Sequence, residues 1–398
     1  MRRLLALLFL LALPAGVMAE GITLRTASCF AGTDASAEAY VELLKAFEEQ
    51  TGCVIEDTSA ASDESWKTSV LYDFAAGNEP DVLFFFAANA DSAPILSRVV
   101  PIAEINAAYP ALSLPEVPAL RESDGRIYAI PVRSFWEGLF VNTDLFARYD
   151  LELPTTWDKL ETAIARFREE DVVPISASLS DIPHYLAEMA VLVCGSPEDH
   201  AARPSTLSEV PNAWFDGMAL IRRLYVLGAF ADNVTATNES MASQLFRDKK
   251  AAMQIDGSWF ANSIPAESMD TTLVMPMPAY SPDADPNAFI GGVSMGFYLT
   301  RRAWENPDRR DMAVRLLAWF AREENLALLG NSHLTGALRE SVEAMLSHQE
   351  AMLRPFQDDM SKEAREVWLL DCVSAVAEGS MTAEACWERI MQLHPFGD

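Results

Sequence analysis

Asp256-Gly257-Ser258-Trp259 places a carboxylate, a residue without a side chain, a hydroxyl and an indole in immediate succession. Arg133-Ser134-Phe135-Trp136 places a guanidinium beside two aromatic rings. Asp34, Trp66, and Phe86 with Asn89 and Asp91 close behind it add three further groups of the same kind. Aromatic plates cover apolar ring faces, while Asp, Asn and Arg present planar hydrogen-bonding groups at the edges. Together they suit non-covalent capture of a ligand with an apolar ring face and a rim of hydroxyls, which describes a sugar.

Patterns for covalent or metal chemistry are weaker. Gly292-Val293-Ser294-Met295-Gly296 matches GxSxG, which requires a strand, a sharp turn and then a helix. Here the apolar run continues through Phe297-Tyr298-Leu299, so a secreted serine hydrolase using Ser294 is the lesser alternative, and Gly291-Gly292 reads as a turn beside a hinge. Asp283-Ala284-Asp285-Pro286-Asn287 lacks the glycine and closing glutamate of a calcium loop and reads as a turn. The histidines at 184, 200, 333, 348 and 394 are scattered, with no HExxH and no CxxC, so no metal or cofactor is expected. His184-Tyr185 opens a helix after Ser180-Asp181 and is placed at the edge of the same cleft.

These groups must be carried by elements that bring them together. Ile22–Ser28, Val54–Asp57 and Asp81–Phe86 read as strands alternating with helices at Ala37–Gln50 and Glu64–Ala76. That order makes a parallel α/β unit. Leu139–Asn142 reads as a short buried strand, followed by a helix from Thr155 with Asp158 completing a capping box. Further strands are expected at 172–175, 251–255, 273–276 and 289–300, with helices at 182–193, 214–227, 240–247 and 308–322. The tail reads as a helix pair, 362–377 and 383–392, broken at Gly379-Ser380. In open α/β sheets ligands bind beyond the carboxyl ends of the strands, and that is where the candidate groups fall.

Residues 1–19 have the form of a secretory signal: Arg2-Arg3, an apolar Leu4–Leu13 and the small-residue site Val17-Met18-Ala19. The expected product is a periplasmic or extracellular chain cleaved after Ala19. The remainder exceeds what one hydrophobic core holds and implies two lobes. A net charge of −28, from 30 basic and 58 acidic residues, excludes nucleic acid as a partner. Five cysteines leave at least one unpaired, and Cys372 and Cys386 can meet if the tail helices are antiparallel, which allows a disulfide there.

The order of local motifs resembles the family 1 extracellular solute-binding proteins, the maltose-binding-protein-like sugar-binding components of bacterial ABC importers. The residues that carry the resemblance are Phe47-Glu48-Glu49-Gln50-Thr51-Gly52, Gly77-Asn78-Glu79-Pro80-Asp81-Val82, the run from Tyr128 through Pro131 to Asn142-Thr143-Asp144, and Ala252-Met253 followed by Gly257-Ser258-Trp259. Ala27-Ser28-Cys29-Phe30 stands where the family often has a tryptophan. The resemblance implies a type II periplasmic-binding-protein fold. Each lobe would be a mostly parallel sheet flanked by helices, 20–131 with 289–325 and 132–288 with 326–398. It implies a chain crossover at Pro131, a second near 281–288 and a third near 323–335. It also implies capture of a mono- or oligosaccharide by hinge closure, delivery to a membrane permease, a monomer, and no enzymatic activity. The ligand set it implies is Asp34, Trp66, Phe86, Asn89, Asp91, Arg133, Phe135, Trp136, Asp256, Ser258 and Trp259, with Trp259 stacked on the sugar. Other roles stay open: Trp66 as a plug between helix and sheet, Arg133 in an ion pair at the cleft rim, Trp259 as a buried turn residue. A polyamine or metal chelate is the alternative ligand.

Overall fold

The computed structural model describes residues 21–396 apart from 33, 63, 89–91, 123, 182 and 331–333. The signal-like segment 1–19, Asn89 and Asp91 therefore lie outside the described residues. The strands are β1 (Thr23–Ala27), β2 (Val54–Asp57), β3 (Val82–Phe86), β4 (Ala129–Asn142), β5 (Val173–Ser176), β6 (Ala251–Gly257), β7 (Thr272–Met275), β8 (Phe289–Leu299) and β9 (Met352–Leu353). They join in the order β2-β1-β3-β8-β4-β6-β5, with β7 on β4 and β9 on β8. Pairs β1–β2, β1–β3, β5–β6 and β8–β9 are parallel, whereas β8 and β4 run antiparallel to the strands on either side of them.

Local chemistry explains the early elements. Helix Ala37–Thr51 buries Tyr40, Leu43, Leu44 and Phe47 on one stripe. It stops at Gly52, whose φ of 74° lets its N–H reach the Glu48 carbonyl at 2.7 Å. β3 is buried along Val82–Phe85, as a strand covered on both faces must be.

β8 lies where a strand was expected, but the length of β4 and the setting of the Gly291-Gly292 pair differ from expectation. Leu139–Asn142 is the end of one strand of 14 residues that begins at Ala129. Its ladder with β8 slips on both sides of Arg133, where Pro131 offers no N–H, and the slip is a bulge. Gly291 and Gly292 lie inside β8 and not in a turn. Their small size serves close pairing: a Cβ on Gly291 would come within 2.8 Å of the Phe135 carbonyl oxygen, and one on Gly296 would collide with that of Ile130.

Two large apolar clusters and a small one flank this sheet. The first draws on residues from Leu24 to Ile130 and from Met295 to Leu329. The second joins Leu139–Val234 residues to β6 and the tail, Phe356–Met391. The third packs Trp136 and Phe140 beneath Phe260 and Leu338. Helix Glu323–Leu329 closes on the first cluster, so the chain leaves it only after Leu329.

Three smaller expectations are corrected. The helix foreseen from Thr155 begins at Trp157 and is capped by Thr156, whose hydroxyl accepts from Lys159 N at 3.4 Å. Thr155 N–H is already spent on the Leu153 carbonyl at 2.8 Å, and Asp158 falls one position short of a capping box. The expected 308–322 helix is preceded by a separate turn of helix, Arg301–Glu305, and runs from Arg310 to Phe320. The first tail helix is interrupted by a wider π-helical turn, Val367–Cys372. Cys372 and Cys386 do meet there, as buried free thiols sharing a hydrogen bond.

Candidate ligand cleft

β5 and β6 end side by side, and the segments that follow their carboxyl ends carry most of the site. Strand alternation decides what β4 contributes. Phe135 packs toward the second cluster, while Trp136, one residue on, turns to the opposite face and is buried against Phe140 at 5.8 Å. Phe135 is thus partly buried on the side that carries Trp259, and Trp136 is core.

Trp259 lies in the short helix Ser258–Ala261 and is 39% exposed. Its ring stands 5.2 Å from Tyr185 and 6.2 Å from Phe135, so the three form one aromatic wall. Two features hold the indole. Its Nε1 donates to Asp256 Oδ1 at 2.6 Å. A Cβ on Gly257 would collide with the ring, so the glycine is what lets the indole fold back over the strand end. Ser258, half-buried, starts the helix.

Asp256 is buried, and its carboxylate accepts from Gly257 N at 2.7 Å and from Gln254 Nε2 at 2.6 Å as well as from the indole. Burial nevertheless pushes it up to about 7. Asp358 is pushed up to about 7 for the same reason, partly opposed by Arg354. Burial also pushes the Glu137 carboxyl well above its usual range, with Glu188, Asp358 and Asp256 adding repulsion. His184 moves the other way: burial, with Arg365 and Lys67, lowers it to about 3.

The signs give a prediction. Asp256 and Asp358 hold protons in the folded chain, between their ordinary 3.8 and about 7, that the unfolded chain has released. Their contribution to stability therefore falls as pH rises through about 7. His184 acts oppositely only below its ordinary 6.5, where the unfolded chain binds a proton that the folded chain refuses. Between pH 6.5 and about 8, the ligand-free melting temperature should drop as pH rises. Calorimetry showing a flat or rising value across that window would contradict the assignment.

Candidate groups from the first half of the chain lie among other partners. Arg133 makes a two-pronged ion pair with Asp34, at 2.7 and 2.6 Å, and its guanidinium lies 4.5 Å from the Phe30 ring. Of its two sequence-level roles, the ion pair is the one present. Trp66 is buried against Phe85 at 5.4 Å and fills the space between its helix and the sheet. Phe86 is half-buried beneath Lys67, whose Nζ lies 5.0 Å from the ring. Thus Phe135, Asp256, Ser258 and Trp259 come together, Asp34 and Arg133 form a separate pair, and Trp66 and Trp136 sit in cores. Sequence reasoning missed Gln254, Glu137 and Glu239; the signal available for the first two was a polar residue inside a strand, while Glu239 opens the helix Glu239–Arg247 and carried none.

Ser294 is not a nucleophile elbow. β8 runs straight through it for five more residues before any helix begins, and its hydroxyl donates to the Arg133 carbonyl at 3.4 Å. Among the described residues no group of three or more His, Cys, Asp or Glu could hold a metal ion, and no helix is long and apolar enough to cross a membrane.

Known proteins share the fold that carries these groups. Residues 31–327 match the family model for bacterial extracellular solute-binding proteins. No curated protein matches the sequence. Among solved structures, one from a study of xylan utilisation by Caldanaerobius polysaccharolyticus superposes with a TM-score of 0.76 at 20% identity, covering 94% of this chain and 100% of that one. A chitin oligosaccharide binding protein gives 0.74 at 18%, covering 94% and 98%. A solute-binding protein in complex with raffinose gives 0.70 at 14%, covering 94% and 98%. These likenesses show a shared two-lobe α/β fold. With its family model matched over most of its length, the chain belongs to the bacterial extracellular solute-binding proteins, a family that binds solutes and does not transform them.

Proposed function

We propose that this protein captures a carbohydrate between its lobes and hands it to the membrane permease of an ABC importer. The observation that carries the reading is the wall of Trp259, Tyr185 and Phe135, with the indole fixed by Asp256. Such a wall suits the apolar face of a pyranose ring. The chitin oligosaccharide binding protein and the raffinose complex named above support the same class. The lobes divide where the apolar clusters do: near Pro131 in β4, in the first half of β8, and after Leu329. Asp34 and Arg133 lie on one wall of the cleft and the aromatic trio on the other. Export follows from the signal-like segment 1–19, and the protein acts as a monomer.

A ligand that binds only the folded chain stabilises it by about 2.7 kcal/mol at 100 times its dissociation constant. A thermal-shift screen against xylo-, chito- and galacto-oligosaccharides, with polyamines as the contrast, should identify the ligand by a rise of several degrees. Substitution of either Asp34 or Trp259 should then shrink that rise. A response to polyamines alone would overturn the carbohydrate reading. A shift insensitive to one lobe's substitution would mean that the ligand is held on a single lobe.

A further inference from the structure

Behind the aromatic wall, at the carboxyl ends of β5 and β6, lies a small cavity lined by Ser176, Ser178, Tyr185, Glu239, Gln254 and Asp256. It has room for about one water molecule or a group of that size. Tyr185 and Asp256 belong both to this cavity and to the surroundings of Trp259, so a ring resting on the wall has its substituents beside the opening.

The lining is rich in acceptors and short of donors. Ser176 Oγ donates to the Ala242 carbonyl at 2.7 Å, and Ser178 Oγ donates to Asp181. Gln254 Nε2 is committed to Asp256 Oδ2 at 2.6 Å and Ser243 Oγ at 3.2 Å. With Asp256 ionised, the state that a cation seated beside it favours, its carboxylate fixes the orientation of that amide, because only the NH2 side can donate to it. Gln254 Oε1 is left buried with no hydrogen-bond partner. An orphaned buried acceptor is costly, and it calls for a donor from outside. The charges agree: Asp256, Glu137, Glu239 and Asp181 all act on the Tyr185 hydroxyl with the same sign. Arg365 and Lys67 act on the neighbouring His184.

A hydroxyl would bring one donor and two lone pairs into this acceptor-rich lining. An ammonium brings three donors and no acceptor. We propose that the cavity seats the ammonium of an amine-bearing saccharide, with Gln254 Oε1, Glu239 and Asp256 as acceptors and the sugar ring against Trp259, Tyr185 and Phe135. The aromatic wall adds attraction for a cation over its ring faces. The proposal rests on the carbohydrate reading and sharpens it to a substrate class.

The test is calorimetry at mildly acidic pH with three β-1,4-linked oligomers of equal length: glucosamine, N-acetylglucosamine and glucose. The glucosamine oligomer should bind tighter than the glucose oligomer by about tenfold or more. That ratio should move toward one in Glu239→Gln, whose far-ultraviolet circular dichroism reports whether it is folded. Gln254→Leu serves as the second variant, because it removes the orphaned acceptor without altering charge. Equal or tighter binding of glucose, or a ratio untouched by both variants, overturns the ammonium assignment and leaves the carbohydrate reading standing. If these oligomers and the wider saccharide screen all fail to bind, both fall together.

Discussion

Replacing Trp259 with alanine should weaken ligand binding by about 1–3 kcal/mol while the protein stays folded. The ring is 39% exposed, so little core is lost with it. Asp256 keeps its bonds from Gly257 N and Gln254 Nε2 and is not stranded. What disappears is the central plate between Tyr185 and Phe135. Gly257→Ala should act in the same direction by a different route, since its methyl group would drive the indole off the strand end and leave the tryptophan present but displaced. Affinity unchanged in Trp259→Ala, measured by calorimetry with the ligand found in the screen, would remove the residue from the site.

Glu188→Ala should lower stability by about 1–3 kcal/mol or more, the usual cost of leaving buried hydrogen-bonding groups without their partner. Glu188 sits in helix His184–Cys194, whose other residues from Leu186 onward are all apolar and buried. One carboxylate oxygen meets His200 Nε2 at 2.8 Å; the other accepts from Gln357 N at 2.9 Å. The residue therefore ties the helix behind the aromatic wall to the C-terminal segment, and both His200 and the Gln357 amide lose their partner when it goes. Urea denaturation is the measurement. A loss below about 1 kcal/mol, the usual range for an exposed pair, would mean that the bridge contributes little.

Much of this was legible before any coordinates. Strands β1, β2 and β3 and the two helices between them were readable because each has one period and one stop signal, such as Gly52 after Thr51. The long strand β4 was not, because the polar, aromatic stretch 133–138 breaks the apolar run on which a strand is recognised. Only pairing with β8 on one side and β6 on the other shows that it continues. At the end of β6, Trp259 stood out as a candidate because Gly257-Ser258 ahead of it keeps the backbone open. Phe135 and Trp136 were indistinguishable in sequence. Their opposite fates follow from a one-residue difference in strand facing, and that depends on the bulge at Arg133. Arg133 likewise could not be assigned until Asp34, 99 residues away, was found beside it.

The central claim is that ligand is enclosed between two lobes joined by β4 and β8. Hinge closure about a few strand residues is the expected motion for this class of binding protein. Small-angle X-ray scattering with and without saturating ligand measures it directly. The account predicts a smaller radius of gyration with ligand, and a loss of that change in Trp259→Ala at the same ligand concentration. Identical scattering curves at proven saturation would contradict closure, and with it the two-walled site described above.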